Sequence, residues 1–187
     1  AEFIPVYEHD GLISKLDEYV FKTVSKLQKE KMSAGKKLIP ISVNLSRHSI
    51  LQDDVVERYV NIINENHIPY ECIPIELTES AAVNNKRIKF ITDEFVNSGF
   101  ILQIDDFGSG YSSLTSLNEF SFSTLKIDKS LIDHITEAKG KTLVEQVITL
   151  TRLLKMEVIA EGVETKEQLK RLQDMHCNQV QGFYFAK

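Results

Sequence analysis

Short segments rich in Ile and Val recur along the chain, each separated from the next by residues with helical spacing, and this alternation restricts the fold more than any other feature. The segments are LIPISVN (38–44), IPIEL (73–77), FILQID (100–105), TLKID (124–128), EVIAE (157–161) and QVQGF (179–183), which predict six strands. Between them, Leu16, Val20, Val24 and Leu27 share one helical face, as do Ile88, Ile91 and Phe95, then Val144, Val147, Ile148 and Leu154, then Leu169, Leu172 and Met175. Each stripe predicts a helix face turned to the core. Start signals agree: Thr165 and Gln168 have the spacing of a capping box, and Asp53 with Asp54 suits a helix N-terminus. Strands joined by helical crossovers pair in parallel, so the fold class is α/β.

The interval between strands narrows the class. Taking Asn44, Glu76, Asp105, Lys126, Glu161 and Gln181 as strand-end markers, the steps are 32, 29, 21, 35 and 20 residues. A (β/α)8 barrel of about 250 residues advances roughly 31 per unit. The expectation is a TIM-like barrel with six units in this chain and the first two strands missing before Ala1, since six strands alone leave two edges and an unfilled interior. No linker of Pro, Gly or Ser divides the 187 residues, which read as one domain, 1–187. The segment 107–123, FGSGYSSLTSLNEFSFS, carries six serines and lies directly after two aspartates between predicted strands, so it reads as a functional loop.

Composition sets limits on partners. A net charge of -5 lacks the basic footprint that gripping a nucleic-acid polymer demands. A small phosphate ester remains open, because carboxylates can hold it through divalent cations. No apolar run approaches the ~18 residues of a membrane span, and the N-terminus lacks a secretory signal, which together predict a cytoplasmic chain. Cys72 and Cys177 have no CxxC spacing and read as buried, inert thiols. Five histidines without a pair at ligand spacing argue against zinc.

The candidate site follows from the strand ends. Asn44, Glu76, Asp105, Asp106, Lys126, Glu161 and Gln181 all stand at or near the C-terminal ends of predicted strands, the active face of such a barrel. Asp105 and Asp106 are adjacent, so their side chains are expected to diverge, the pair contributing to two cations or one aspartate bridging while the other orients. An isolated Asp pair is ordinarily a helix cap; Gly108 and Gly110, which permit a tight turn beside a ligand, favour a site instead. Glu76 stands in an apolar strand and needs a partner, assigned here to metal, with Glu79 anchoring a loop; pairing of both with Lys or Arg is the alternative. Lys126 either forms an ion pair with Asp128 or holds its charge against a phosphate or the attacking oxygen. Asn44 is a neutral oxygen ligand or a turn residue, Glu161 and Glu164 flank a glycine where capping is the simpler account, and Gln181 can satisfy backbone.

In this order and at these intervals VNLS, IELTES, IDDFGSGYSSL, LKID, IAEGVET and QGFYFAK resemble the EAL-domain family of bacterial cyclic di-GMP phosphodiesterases. The resemblance spans essentially the whole chain. It implies a modified (β/α)8 barrel in which two Mg2+ or Mn2+ ions activate water to open one phosphodiester of cyclic di-GMP, giving linear pGpG. Residue by residue it implies Asn44, Glu76, Asp105 and Asp106 as metal ligands, Lys126 beside the nucleophilic water, Glu161 helping to hold the metal site and Gln181 near the water. It makes Glu79 the anchor of the loop starting at Asp106, and Asp128 and Glu164 supports behind the ligands. Ser109 replaces a frequent Thr, and SFST lacks a proline often found before Leu125.

The Glu-Ala-Leu motif that names the family belongs upstream of AEFIPVYEHDGLI and is not in this sequence, so it takes a metal-binding glutamate and a phosphate-contacting arginine with it. The activity of this stretch alone therefore stays open. The resemblance also implies a homodimer, an attached sensory or diguanylate cyclase-type domain, and a place in the cytoplasm, as a free protein or as the cytoplasmic part of a larger membrane-anchored one. The alternative function is a non-catalytic cyclic di-GMP receptor or interaction module of the same fold. An unrelated sugar-phosphate barrel enzyme would not explain the paired aspartates with Lys126 and Glu161.

Overall fold

The computed structural model describes residues 4–81, 86–110 and 114–185. Of the sequence motifs, Tyr111–Ser113 of the serine-rich segment and Ala186–Lys187 of the last motif lie outside the described residues. Six strands are expected and six are found among the described residues: β1 (Val43–Asn44), β2 (Ile75–Thr78), β3 (Leu102–Phe107), β4 (Thr124–Ile127), β5 (Glu157–Ala160) and β6 (Gln179–Val180). They form one parallel sheet in chain order. The helices are α1 (Ile4–His9), α2 (Ile13–Ser33), α3 (Arg47–Ile50), α4 (Val55–Asn66), α5 (Lys86–Asn97), α6 (Leu114–Glu119), α7 (Lys129–Asp133), α8 (Ala138–Leu153) and α9 (Lys166–Asp174). Among the described residues, no helix is long and apolar enough to cross a membrane. The chain resolves into two compact units, one of residues 1–77, 81–102 and 116–121, the other of 78–80, 103–115 and 122–187.

In the first unit, β1 is shorter than its sequence segment, covering only Val43–Asn44. Parallel bonding nevertheless runs past both ends: the N–H groups of Ile41, Val43 and Leu45 donate to the carbonyls of Cys72, Pro74 and Glu76. The core centres on four rings. Phe21 lies 4.3 Å from Tyr59 and 6.1 Å from Phe100, Tyr59 meets Phe95 edge-on at 5.9 Å, and Phe95 meets Phe100 edge-on at 5.3 Å. Burial drives the Tyr59 hydroxyl well above its ordinary pKa, with the Asp17 carboxylate adding to the shift.

Helix α2 turns a different face inward from the one its apolar spacing predicts. Its buried residues are Ile13, Ser14, Asp17, Phe21, Ser25 and Gln28, whereas Val20 and Leu27 are 38% and 41% exposed. Specific partners decide the orientation. Phe21 enters the ring cluster, Gln28 Nε2 donates to the carbonyls of Ile39 (2.7 Å) and Cys72 (3.0 Å), and Ser25 Oγ donates back to Phe21 O at 2.8 Å. Asp17 accepts from the Ser46 N–H at 2.9 Å and from Ser49 Oγ at 2.5 Å. The stripe on α5 is as expected, with Ile88, Ile91 and Phe95 buried.

In the second unit, Val144 and Ile148 of α8 and Leu172 of α9 are buried with Leu125, Ile127, Val158 and Ala160, but Leu154 is 40% exposed. The expected capping box is present. Gln168 N–H donates to Thr165 Oγ1 at 3.2 Å while Gln168 Oε1 accepts from the N–H groups of Thr165 and Glu164, both at 2.9 Å. The serine-rich segment is not wholly loop, since 114–119 is helical. Cys72 is buried but Cys177 is partly exposed, which corrects the reading of both as buried. Desolvation pushes both thiols above their ordinary pKa, so each is mainly protonated at neutral pH.

Candidate active site

The parallel order brings the ends of β3, β4, β5 and β6 side by side in the second unit, and each end delivers one or two polar side chains. Glu161 N–H donates to Ile127 O at 3.0 Å and Gln181 N–H to Ala160 O at 2.9 Å, so the ladder extends into Glu161 and Gln181 themselves. Lys126 of β4 is 5% exposed. Its Nζ lies 3.0 Å from Asp105 Oδ1 and 2.7 Å from Glu161 Oε1. Gln181 Nε2 donates to the same Glu161 oxygen at 2.6 Å. Burial of the ammonium is tolerable only because carboxylates flank it. The ion pair to Asp128 that sequence left open is not the arrangement seen: Asp128 caps α7, accepting from Ser130 N–H at 2.9 Å.

Asp105 and Asp106 do not diverge. The β3–β4 register runs Ile104 with Leu125 and then Phe107 with Ile127, so β3 carries one residue more than its partner across this interval. Asp106 absorbs the bulge with φ +57°, a left-handed conformation uncommon outside glycine but accessible to Asp. Strict alternation is broken at this point. Asp105, Asp106 and Glu161 consequently each offer a carboxylate oxygen within 4.8 Å of the others. Hard oxygen donors in such a cluster suit Mg2+, Mn2+ or Ca2+ rather than a soft metal. Among the described residues, no histidine or cysteine joins the group.

Glu79, which belongs to the second unit, is 5% exposed; its N–H donates to Asp105 O at 3.0 Å and its Oε2 accepts from Gly108 N–H at 3.4 Å. It therefore ties β2's end to the turn that follows Asp106. Glu164 is half exposed and pairs with Lys129 at 3.0 Å, which also pairs with Asp133 at 2.8 Å. Those hydrogen bonds, Asp133's first, hold the Lys129 ammonium above its ordinary pKa. Beside Glu161 and Gln181 opens a cavity of about 680 Å³, also lined by Lys129, Phe183 and Phe185.

Asn44 and Glu76 lie in the first unit and face each other in register on β1 and β2. Asn44 is exposed; Glu76 is buried, and Ser42 Oγ donates to its Oε1. Sequence reading missed Ser42, although its position two residues before Asn44 on an extended segment is a usable signal.

It also missed why the loops after β5 and β6 meet so closely. Val163 N–H donates to Gln181 O at 3.1 Å and Tyr184 N–H to Val163 O at 2.9 Å, with Gly182 between them at φ +154°. A Cβ on Gly182 would stand 2.3 Å from both Val163 N and Val163 O. Gly182→Ala must therefore push backbone apart, and we expect a loss of about 1–3 kcal/mol. The melting temperature should fall, and the Gln181 side-chain amide resonances should shift as its bond to Glu161 opens. An unchanged melt would show that the loops have room to spare.

Comparison with known proteins places these observations in a wider set. The family model described as EAL domain matches residues 1–187. The bifunctional diguanylate cyclase/cyclic di-GMP phosphodiesterase MucR of Pseudomonas aeruginosa is 30% identical over 189 residues, covering 100% of this chain and 28% of that protein. Among solved structures, the PaMucR phosphodiesterase in complex with c-di-GMP superposes with a TM-score of 0.93 at 30% identity, covering 100% of this chain and 76% of the other. Klebsiella pneumoniae BlrP1, solved as a calcium/cyclic di-GMP complex, gives a TM-score of 0.82 at 26% identity over 93% of this chain and 43% of the other. The chain spans about a quarter of the length of the curated relatives it matches.

Proposed function

The chain belongs to the EAL domain family, with its TIM-like α/β fold, and on that premise we propose that it hydrolyses one phosphodiester bond of cyclic di-GMP to give linear pGpG with two Mg2+ or Mn2+ ions. The observation that carries the reading is Lys126, wedged between Asp105 and Glu161 beside Asp106 at the ends of consecutive strands. A structural ion pair needs one carboxylate; two carboxylates on one buried lysine, with the Asp106 carboxylate grouped beside them, make a site of excess negative charge, suited to divalent cations.

In this reading Asp105, Asp106, Asn44 and Glu76 are the ligands and Glu161 helps to hold them. Bound ions would supply Lewis-acid stabilisation of the phosphoryl oxygens and a water of lowered pKa. Lys126 keeps a protonated Nζ next to the attacking oxygen, offsetting charge that develops there. Gln181 fixes Glu161 by its 2.6 Å bond, so that Oε1 serves Lys126 in one orientation. Glu79 holds Gly108 and thus the backbone that presents Asp106. Asp128 and Glu164 act one step further out, through the start of α7 and through Lys129. The whole protein is proposed to be a cytoplasmic signalling phosphodiesterase, acting as a homodimer and linked to a sensory or cyclase-type domain.

The test is pGpG formation from cyclic di-GMP by the protein carrying this chain, with Mn2+, Mg2+ and EDTA as separate arms. Turnover should appear with either ion and vanish with EDTA, and Asp105→Asn should lower it by about 10²–10³. A protein that binds the dinucleotide but never releases pGpG under any ion would replace hydrolase with receptor.

A further inference from the structure

The Asp17 carboxylate is buried at 7% exposure in the first unit, and both bonds it accepts come from the cap and first turn of α3, which follows β1. Its Oδ2 takes the Ser46 N–H at 2.9 Å and the Ser49 hydroxyl at 2.5 Å. Ser46 is itself the cap of α3: its Oγ accepts from Ser49 N–H at 3.1 Å and donates to Ser49 Oγ at 3.0 Å. Directly after Asn44, Leu45 N–H donates to Glu76 O at 2.8 Å. The backbone on the C-terminal side of Asn44 is thus held at two successive amides, Leu45 by β2 and Ser46 by Asp17.

We infer that Asp17 is a positioning residue for Asn44, setting where the Asn44 side-chain oxygen stands. The inference rests on the proposed reading of Asn44 as a cation ligand. The chemistry supports a directed role over simple packing. A buried carboxylate is costly, and bonds from an amide and a hydroxyl to an ionised acceptor are shorter and stronger than neutral ones. Had only space needed filling, an apolar residue would serve α2 without that cost. A loosely held ligand also weakens a metal site in proportion to the freedom it gains, and outer partners of ligands typically carry 10–100-fold in metal affinity.

The experiment measures Mn2+ affinity by calorimetry in the protein carrying this chain, without dinucleotide, and amide hydrogen exchange at Ser46. Asp17→Ala should weaken Mn2+ binding by about tenfold and speed exchange at Ser46, while Asp17→Asn, which keeps an acceptor in place, should stay within about threefold of the parent. Ile62→Val, in the same unit but away from the turn, serves as a destabilised control and should leave affinity unchanged. If Asp17→Ala does not fold, Ser49→Ala removes one of the two bonds and should weaken binding in the same direction. Asn44→Ala separates the two claims. If it weakens Mn2+ binding and Asp17→Ala does not, the positioning role is wrong and the ligand reading stands; if Asn44→Ala has no effect, the ligand reading fails and takes the positioning role with it.

Discussion

Lys126→Met is expected to reduce cyclic di-GMP hydrolysis by about a thousandfold and to make the fold depend on divalent cation for its stability. Methionine fills similar space without charge, so the change isolates the ammonium. In the parent, Nζ lies within 3.0 Å of Asp105 and 2.7 Å of Glu161, and the three carboxylate oxygens lie within 4.8 Å of one another. Two unit charges at that separation repel by about 3 kcal/mol at an effective dielectric constant near 20. Losing one partner of a buried pair costs about 3–5 kcal/mol by comparison with measured cases. Without metal, the variant should therefore melt well below the parent. Millimolar Mn2+ should then raise its melting temperature more than the parent's, because the ion takes over the neutralisation that Lys126 provided. Lys126→Arg separates charge from shape: the planar fork keeps the charge but needs more room, so stability should largely return and turnover should not. Full turnover in Lys126→Met would remove lysine from the chemistry, and equal Mn2+ responses in variant and parent would remove the shared-charge account.

How much of this is legible in the sequence depends on which interactions set each feature. Strands and the Thr165–Gln168 cap are decided within a few residues, by Ile and Val enrichment and by one side chain reaching one nearby amide. The grouping of Asp105, Asp106, Lys126, Glu161 and Gln181 at the ends of β3 to β6 was legible for the same reason, since position along a strand is a local property. What could not be read is what depends on a partner strand or helix. The spacing of Asp105 and Asp106 predicts divergence because a two-residue period knows nothing of the extra residue that β3 places against β4. Lys126 chooses Asp105 and Glu161 over Asp128 because Asp128 is consumed by the first turn of α7. Gly182 looks like an ordinary turn residue until Val163 is brought against it. The serine-rich stretch reads as loop from composition, yet its residues 114–119 form α6.

Helix α2 is the clearest conflict between pattern and packing, and it supports the second large effect. Phe21→Ala in the 187-residue chain should cost about 3–5 kcal/mol, the range for emptying a fully buried aromatic site. Phe21 has no exposed surface, and its ring stands 4.3 Å from Tyr59 and 6.1 Å from Phe100, so removal opens a cavity inside the ring cluster rather than at its margin. Tyr59 then loses a neighbour it cannot easily replace, because it already meets Phe95 edge-on. Against a whole-domain stability of about 5–15 kcal/mol, a loss of that size moves the urea midpoint far or unfolds the chain outright. Val20→Ala, one residue away on the stripe that periodicity assigned to the core, should cost within about 0.5 kcal/mol because Val20 is 38% exposed. The pair is a direct measurement of which way the helix faces: if Val20→Ala proves the more costly of the two, the apolar stripe is buried after all and the polar anchors Asp17, Ser25 and Gln28 do not set the rotation of α2.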